Sequence, residues 1–188
     1  MKQFMIGLSI VLLMVSHGYA AIFGDVNIPD TLSAGKNKLI LNGAGYRTKF
    51  FMKIYVGALY LTQKSSDQNE IINADKPMAI KMHIVSSLIS SKKMINAVNA
   101  GFDNATGSNT APIANEIKQL LSIFQEKIEV GDVYDLVYNP GQGVQASKNG
   151  TLKGTIKGLA FKKALFGIWL CDYPADKYLK KSMLTGSD

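Results

Sequence analysis

The sequence predicts an α+β domain in which helices pack on one face of a large antiparallel sheet. Its segments follow the order strands, two helices, strands, two helices, and strands grouped in this way favour an antiparallel sheet over alternating βα units. The turn sequences Asn139-Pro140-Gly141 and Lys148-Asn149-Gly150 are typical of hairpins between neighbouring strands. With 188 residues and no visible linker or internal repeat, we expect a single folded domain.

The first twenty residues are expected to be a secretory signal peptide. Lys2 gives a positive start, Phe4 to Val15 is an apolar core, and the small residues Gly18 and Ala20 fit cleavage after Ala20. The apolar stretch is too short for an ordinary membrane span, although an uncleaved anchor is the alternative. We therefore predict a domain over residues 21–188, exported across the inner membrane into the periplasm, with no stable membrane span after cleavage.

The first strands surround a glycine-rich segment. Lys38–Asn42 is predicted to be a short strand that ends in a turn over 43–47, and Phe50–Thr62 is predicted to be the long central strand. The even-numbered positions of this strand are almost wholly apolar and are expected to face the main core. The odd-numbered positions, including Tyr55 and Gly57, are mixed. They fit either one wall of a ligand pocket or an ordinary half-exposed sheet face.

The remaining elements follow from apolar periodicity and capping residues. Ser90 or Ser91 offers an N-cap for the first long helix, and Thr110 with Pro112 is expected to start the second. Asp172 is the expected cap of a short final helix. Further strands are predicted at Met78–Val85, Val133–Tyr138, Gly143–Ser147 and Thr151–Ile156, and a third helix at Phe161–Ile168.

The chain is basic, with 21 lysine and arginine residues against 14 acidic ones and a formal net charge of +7. The excess is lysine spread along the chain, without the arginine-rich stripe that nucleic-acid recognition usually shows. We expect no nucleic-acid partner. The charge is interpreted as an aid to solubility or a weak attraction to anionic surfaces.

Histidine and cysteine are too scarce for several kinds of site. Cys171 is the only cysteine, so an intrachain disulfide is excluded, and the two histidines leave only His83 after the expected signal peptide. Zinc sites built from His and Cys are therefore excluded, and no Gly-x-Ser-x-Gly elbow supplies a serine nucleophile. The strand pattern around His83 favours a hydrogen-bonded structural histidine. We expect no metal and no cofactor.

Arg47 is the only arginine in the chain. A solvent-exposed cation could have been lysine, as at every other basic position. The planar five-donor guanidinium is needed where a carboxylate must be held from two sides. Arg47 is therefore a candidate ligand-binding residue, and a salt bridge to one of the chain's own acids is the alternative.

Four segments together resemble the chalcone isomerase-like family, in particular its short secreted bacterial branch. They are Leu41–Arg47, Lys53–Leu61, Gly154–Gly158 and Phe161–Leu170. The resemblance implies an open-faced β-sandwich with a ligand cleft between the sheet and its helices. It also implies one of two activities, because true isomerases close a flavanone ring while non-catalytic relatives bind fatty acids.

The resemblance further implies that Arg47 lies in the cleft and holds a carboxylate together with a tyrosine of the next strand. Tyr55 matches that tyrosine best, and Tyr60 is the second choice. True isomerases carry a tyrosine, a lysine and an asparagine at the start of the helix that follows the third strand. The matching segment here, Ser90–Asn96, contains no tyrosine. This difference argues against chalcone cyclisation.

Three functions therefore stay open. The favoured one is a non-catalytic protein that binds a fatty acid or similar small apolar carboxylate. The second is an intramolecular lyase or isomerase of the chalcone isomerase type, in which Arg47 would stabilise an oxyanion. The third is a structural envelope protein whose cleft is unused.

Overall fold

The computed structural model describes residues 21–186, and its centre is a seven-stranded antiparallel sheet. The predicted signal peptide lies outside the described residues. The strands follow one another in chain order as a meander, and a separate two-stranded hairpin precedes them. The hairpin consists of β1 (Ala21–Phe23) and β2 (Val26–Ile28); the sheet consists of β3 (Thr31–Ala34), β4 (Asn37–Lys49), β5 (Met52–Leu61), β6 (Met78–Ile84), β7 (Val133–Asn139), β8 (Gly143–Lys148) and β9 (Thr151–Ile156).

Helices cover one face of this sheet, which confirms the predicted α+β fold class and open-faced arrangement. Ser90 caps the first long helix as predicted, and its side chain accepts a hydrogen bond from the amide of Lys93. Among residues 21–186, no helix is both long enough and apolar enough to cross a membrane. The helices are α1 (Gln68–Asn73), α2 (Ser91–Thr106), α3 (Ala114–Ile123, after a 3₁₀ turn at Ala111–Ile113), α4 (Leu159–Leu170) and α5 (Lys177–Thr185).

From Ile54 onward both faces of β5 are buried, and the expectation that its even-numbered face meets the main core holds only for Ile54. Val56, Ala58 and Tyr60 lie in a smaller apolar cluster, to which the β1–β2 hairpin contributes. Tyr55 and Leu59, on the odd-numbered face, belong to the main core under the helices. Periodicity alone could not show which face of β5 meets the larger cluster, because the β1–β2 hairpin buries the face of the sheet that the helices do not cover.

The glycine-rich segment is strand rather than turn. β4 continues through it, with a bulge between Leu41 and Gly43. The glycines are required because α5 lies directly against the sheet. A Cβ on Gly43 would meet the carbonyl oxygen of Ser182 at 2.0 Å, and one on Gly45 would meet the Ser182 Cβ at 2.8 Å. The glycines therefore signal close helix–sheet contact and not a change of chain direction.

The turn begins at Phe50, three residues beyond Arg47, and it shortens the predicted central strand. Lys49 pairs with Met52, so Phe50 and Phe51 are the two loop residues of a tight hairpin. Both have positive φ, at 49° and 64°. Because both residues are apolar, the sequence predicts that they belong to the strand.

Two further predictions of local structure differ from the fold. The cap of α5 is Asp176, whose carboxylate accepts from the amides of Tyr178 and Leu179, and not Asp172. The short helix α1 and the strands β1 to β3 were not predicted. These elements are three to six residues long, too short to show periodicity.

Candidate functional site

Arg47 and Tyr55 lie opposite each other in the β4–β5 ladder. The guanidinium carbon of Arg47 is 5.6 Å from the centre of the Tyr55 ring, so the cation lies against the aromatic face. The structure thus brings together the two residues that the sequence favoured as a pair. Both reach the space between the sheet and the helices.

Tyr55 is held by a residue that the sequence analysis did not select. Its hydroxyl oxygen accepts a hydrogen bond of 2.8 Å from Nε1 of Trp169, on α4. Because the indole can only donate, the phenolic proton of Tyr55 remains available for another acceptor. The sequence could have pointed to this residue, because Trp169 is the only tryptophan and a buried indole N–H needs a hydrogen-bond partner.

Burial raises the pKa of Tyr55 above its ordinary value. The charge of Arg47 and the hydrogen bond from Trp169 act in the opposite direction without cancelling the effect of burial. Tyr55 is therefore a neutral phenol near pH 7. In this state it is a hydrogen-bond donor and not a base.

Arg47 makes no salt bridge within 4.0 Å to any carboxylate of residues 21–186. The alternative of a structural ion pair is therefore not found in this part of the chain. Its Nε is buried and has no hydrogen-bond partner there. A buried N–H without a partner costs free energy, so an acceptor brought by a ligand would be favoured at this position.

An open cleft of about 410 Å³ lies beside Arg47, between the β4–β5 hairpin and the start of α2. Its volume falls within the range of about 300–1,000 Å³ that is usual for small-molecule sites. Three of its nine lining residues are cations and none is acidic. They are Arg47, Lys49, Phe50, Met52, Ile54, Leu88, Ile89, Lys93 and Ala97.

A second, inner pocket continues from this outer cleft towards the core. Arg47 and Ala97 line both spaces, so the guanidinium lies at their junction. The inner pocket holds only about 20 Å³, which is room for about one water molecule. Apart from Arg47 and the polar ends of Tyr55 and Trp169, its walls are apolar and include Met82, Met94, Val98, Leu136 and Leu165.

Tyr60, the second tyrosine that the sequence suggested, lies on the other face of β5. It is fully buried, and its hydroxyl donates to the carbonyl oxygen of Pro29 at 2.8 Å. His83 also lies away from the cleft, in a hollow beside Phe23 and Tyr46. The expected hydrogen bond of the His83 ring is not found among residues 21–186.

Within the segment Ser90–Asn96, only Lys93 lines the outer cleft. Its Nζ donates to the carbonyl oxygen of Leu88 at 2.8 Å. The described walls of the cleft contain no carboxylate and no imidazole. The arrangement can therefore hold an anion beside an apolar surface, and it offers few groups for proton transfer.

A solved fatty-acid-binding protein from Arabidopsis thaliana has a similar structure, with a TM-score of 0.69. The similarity covers 89% of this chain and 96% of that one at 16% sequence identity, so it shows the fold alone. No curated protein sequence matches the chain. The sequence profile described as chalcone isomerase-like matches residues 20–185. Together with the curled seven-stranded sheet and its helical layer, this match shows that the chain belongs to the chalcone isomerase-like family.

Proposed function

We propose that the protein is a non-catalytic, exported binding protein for a fatty acid or a similar apolar carboxylate, with Arg47 as the anchor of the head group. The observation that carries this proposal is the guanidinium of Arg47. It has no carboxylate partner among residues 21–186, and it lies at the inner end of a cleft with apolar and cationic walls. A periplasmic location is part of the proposal and is supported by the apolar leader sequence.

The carboxylate would lie at Arg47, where the two spaces meet, with one oxygen directed into the inner pocket towards the phenol of Tyr55. The guanidinium offers parallel N–H donors, and the neutral phenol of Tyr55 adds a third donor because its oxygen already accepts from Trp169. A hydrogen bond to a charged group contributes about 1.5–3 kcal/mol. A lysine could not offer two parallel N–H donors to the same carboxylate, so this role requires the arginine.

The tail would lie in the outer cleft, against Ile54, Ile89 and Met52. This space is large enough as it stands, whereas the inner pocket would need Met82 and Met94 to move. Each buried CH₂ contributes about 0.8 kcal/mol, so a fully covered ten-carbon tail would supply about 8 kcal/mol. That is close to the binding free energy of a micromolar complex, about −8.2 kcal/mol.

Two further points support binding over lyase or isomerase chemistry. The structurally similar Arabidopsis protein is described as a fatty-acid-binding protein. In the inner pocket, burial favours the neutral phenol of Tyr55, and in the outer cleft the Nζ of Lys93 donates to the Leu88 carbonyl. A neutral phenol is a hydrogen-bond donor and not a base, and the Nζ of Lys93 is already engaged as a donor.

The test is the affinity for laurate, measured by titration calorimetry. Arg47→Lys keeps the charge but loses the planar fork, so we expect binding about 10–100-fold weaker than that of the unmodified protein. Unchanged laurate affinity in Arg47→Lys would reject the proposal.

Tyr55→Phe removes the phenolic donor and is expected to weaken laurate binding by about tenfold. Tyr60→Phe is the matched control, since it removes a phenolic hydroxyl from the opposite face of the same strand. If Tyr60→Phe weakened laurate binding and Tyr55→Phe did not, the assignment of the tyrosine would be wrong.

A further inference from the structure

The hairpin turn between β4 and β5 carries two residues that turn chemistry disfavours. Phe50 and Phe51 both have positive φ, a region that favours asparagine and glycine in two-residue hairpins and is strained for bulky side chains. Their side chains are 84% and 105% exposed. Neither the backbone nor the core therefore explains why two phenylalanines stand here.

These phenylalanines belong to a larger apolar surface at the mouth of the cleft. Met52 and Leu88 are 45% and 42% exposed, and both line the outer cleft together with Phe50. We call the four residues Phe50, Phe51, Met52 and Leu88 the tip patch. Exposed apolar side chains grouped in this way mark an interaction surface more often than isolated ones do.

Two lysines flank the tip patch. Lys49 and Lys93 line the same cleft as Phe50, and the Nζ of Lys49 is 5.8 Å from the Phe50 ring centre. The carboxylate of Asp176 lies nearby, but it accepts hydrogen bonds from Thr48 and caps α5. Protruding aromatic side chains flanked by lysines fit the apolar boundary and the phosphates of an anionic membrane surface.

We propose that the tip patch docks the protein on an anionic phospholipid bilayer. Phe50 and Phe51 would enter the boundary between head groups and acyl chains, while Lys49 and Lys93 contact lipid phosphates. The mouth of the cleft would then face the bilayer, so that an apolar ligand could pass between them without crossing water. This goes beyond the proposed function and can be tested without any fatty acid.

The experiment is co-sedimentation of the protein with vesicles of phosphatidylglycerol and phosphatidylcholine, compared with vesicles of phosphatidylcholine alone. We expect binding to the anionic vesicles that weakens as salt is raised. Phe50→Asn combined with Phe51→Gly gives the turn its preferred residues, and we expect it to lower the vesicle partition coefficient by at least about tenfold. The same double variant should melt about 2–4 °C higher, because strain is removed from the turn.

The matched control is Leu152→Ser combined with Tyr173→Ser. It removes two other exposed apolar side chains, and Leu152 lies on β9, four strands away from β5. We expect its vesicle binding to equal that of the unmodified protein. Lys49→Gln combined with Lys93→Gln should lose about thirtyfold on anionic vesicles only, at about 1 kcal/mol for each lysine.

Unchanged vesicle binding by the Phe50→Asn/Phe51→Gly variant would overturn the membrane proposal. Equal binding of the unmodified protein to neutral and anionic vesicles would also overturn it. So would a dimer of the unmodified protein, seen in sedimentation velocity, that the double variant dissociates while its vesicle binding stays the same. The last would assign the patch to a second copy of the chain. Phe51 does not line the cleft, so Phe51→Gly should keep the laurate affinity within about twofold in vesicle-free solution. Loss of laurate binding in Arg47→Lys with intact vesicle binding would separate the two proposals.

Discussion

Lys162 is fully buried on α4, and its ammonium serves the end of another helix. Its Nζ donates to the carbonyl oxygens of Ile71, Ile72 and Ala74 at 2.9, 3.0 and 2.8 Å. These are carbonyls at the C-terminal end of α1, which lack partners within that helix. One side chain therefore stabilises a helix of six residues that could not persist in isolation.

Replacing Lys162 by methionine should lower the free energy of unfolding at pH 7 by about 1–3 kcal/mol, since three wholly or partly buried carbonyls lose their donor. Lys163→Met, at the next position of α4 and without these carbonyl partners, is the control. Both free energies can be measured by urea unfolding. A Lys162→Met protein as stable as Lys163→Met would contradict this role of the ammonium.

The same lysine predicts a pH dependence. Burial lowers the pKa of Lys162 from 10.5 to about 8, so between pH 8 and 10.5 the unfolded chain holds more protons than the folded one. The contribution of this group to the free energy of unfolding therefore rises with pH, by at most about 1.4 kcal/mol per unit. The stability gap between wild type and Lys162→Met should widen from pH 8 to pH 10. A narrowing gap would contradict the lowered pKa.

Single residues were predictable from the sequence where their chemistry was exceptional. Arg47 could be selected because a chain rich in lysine uses arginine once, and the family resemblance then suggested Tyr55. Trp169 was not selected, because the hydrogen bond that holds Tyr55 joins residues 114 positions apart. No local pattern records such a contact.

At the level of elements, α5 fixes the part of the sheet that carries Arg47. It lies across β4 and β5 over Gly43, Gly45 and Gly57, and its cap Asp176 accepts from the amide and hydroxyl of Thr48. The strand β4 is thereby held at Thr48, the residue after Arg47. Close helix contact in this region explains the glycines better than any turn does.

Three glycine-to-alanine substitutions test this contact. Gly43→Ala would place Cβ 2.0 Å from the carbonyl oxygen of Ser182, so we expect a loss of about 3 kcal/mol or more. Gly57→Ala would meet the flexible end of Met183 at 2.9 Å and should cost about 1 kcal/mol.

Gly154→Ala is the control in the same sheet, because its nearest neighbour is Ile123 Cδ1 at 3.7 Å. Its stability should stay within about 0.5 kcal/mol of the unmodified protein in thermal unfolding. Equal effects at positions 43 and 154 would show that α5 does not lie against the sheet as described.

The elements that the sequence predicted well were those with strong periodicity or turn residues, such as β6, α2 and the hairpins of β7 to β9. The element boundaries that failed lie where tertiary contact overrides the local pattern. Phe50 and Phe51 have the apolar character of a strand but occupy a turn. The glycines before them have the character of a turn but lie in a strand.

For the whole molecule, the class of fold followed from the order of elements, but the position of its cores did not. The β1–β2 hairpin covers the face of the sheet opposite the helices, so two apolar clusters share one sheet. The cleft opens on the helical side, beside Arg47. The ligand space thus lies at the edge of the main cluster, whose Ile54 and Ile89 line it, and it can be filled without repacking either cluster.

Ligand binding at the cleft should therefore raise the stability of the entire domain. Laurate at 100 times its dissociation constant would add about 2.7 kcal/mol to the free energy of unfolding, if it binds only the folded chain. For a domain of this size that corresponds to a rise in melting temperature of roughly 5–11 °C. Dodecanol has the same number of carbons, with a hydroxyl in place of the carboxylate, and at the same concentration it should give a much smaller rise. Arg47→Lys should reduce the laurate shift and leave the dodecanol shift unchanged, both measured by differential scanning calorimetry. Equal shifts for laurate and dodecanol in the unmodified protein would show that the tail alone is recognised and that Arg47 has no part in binding.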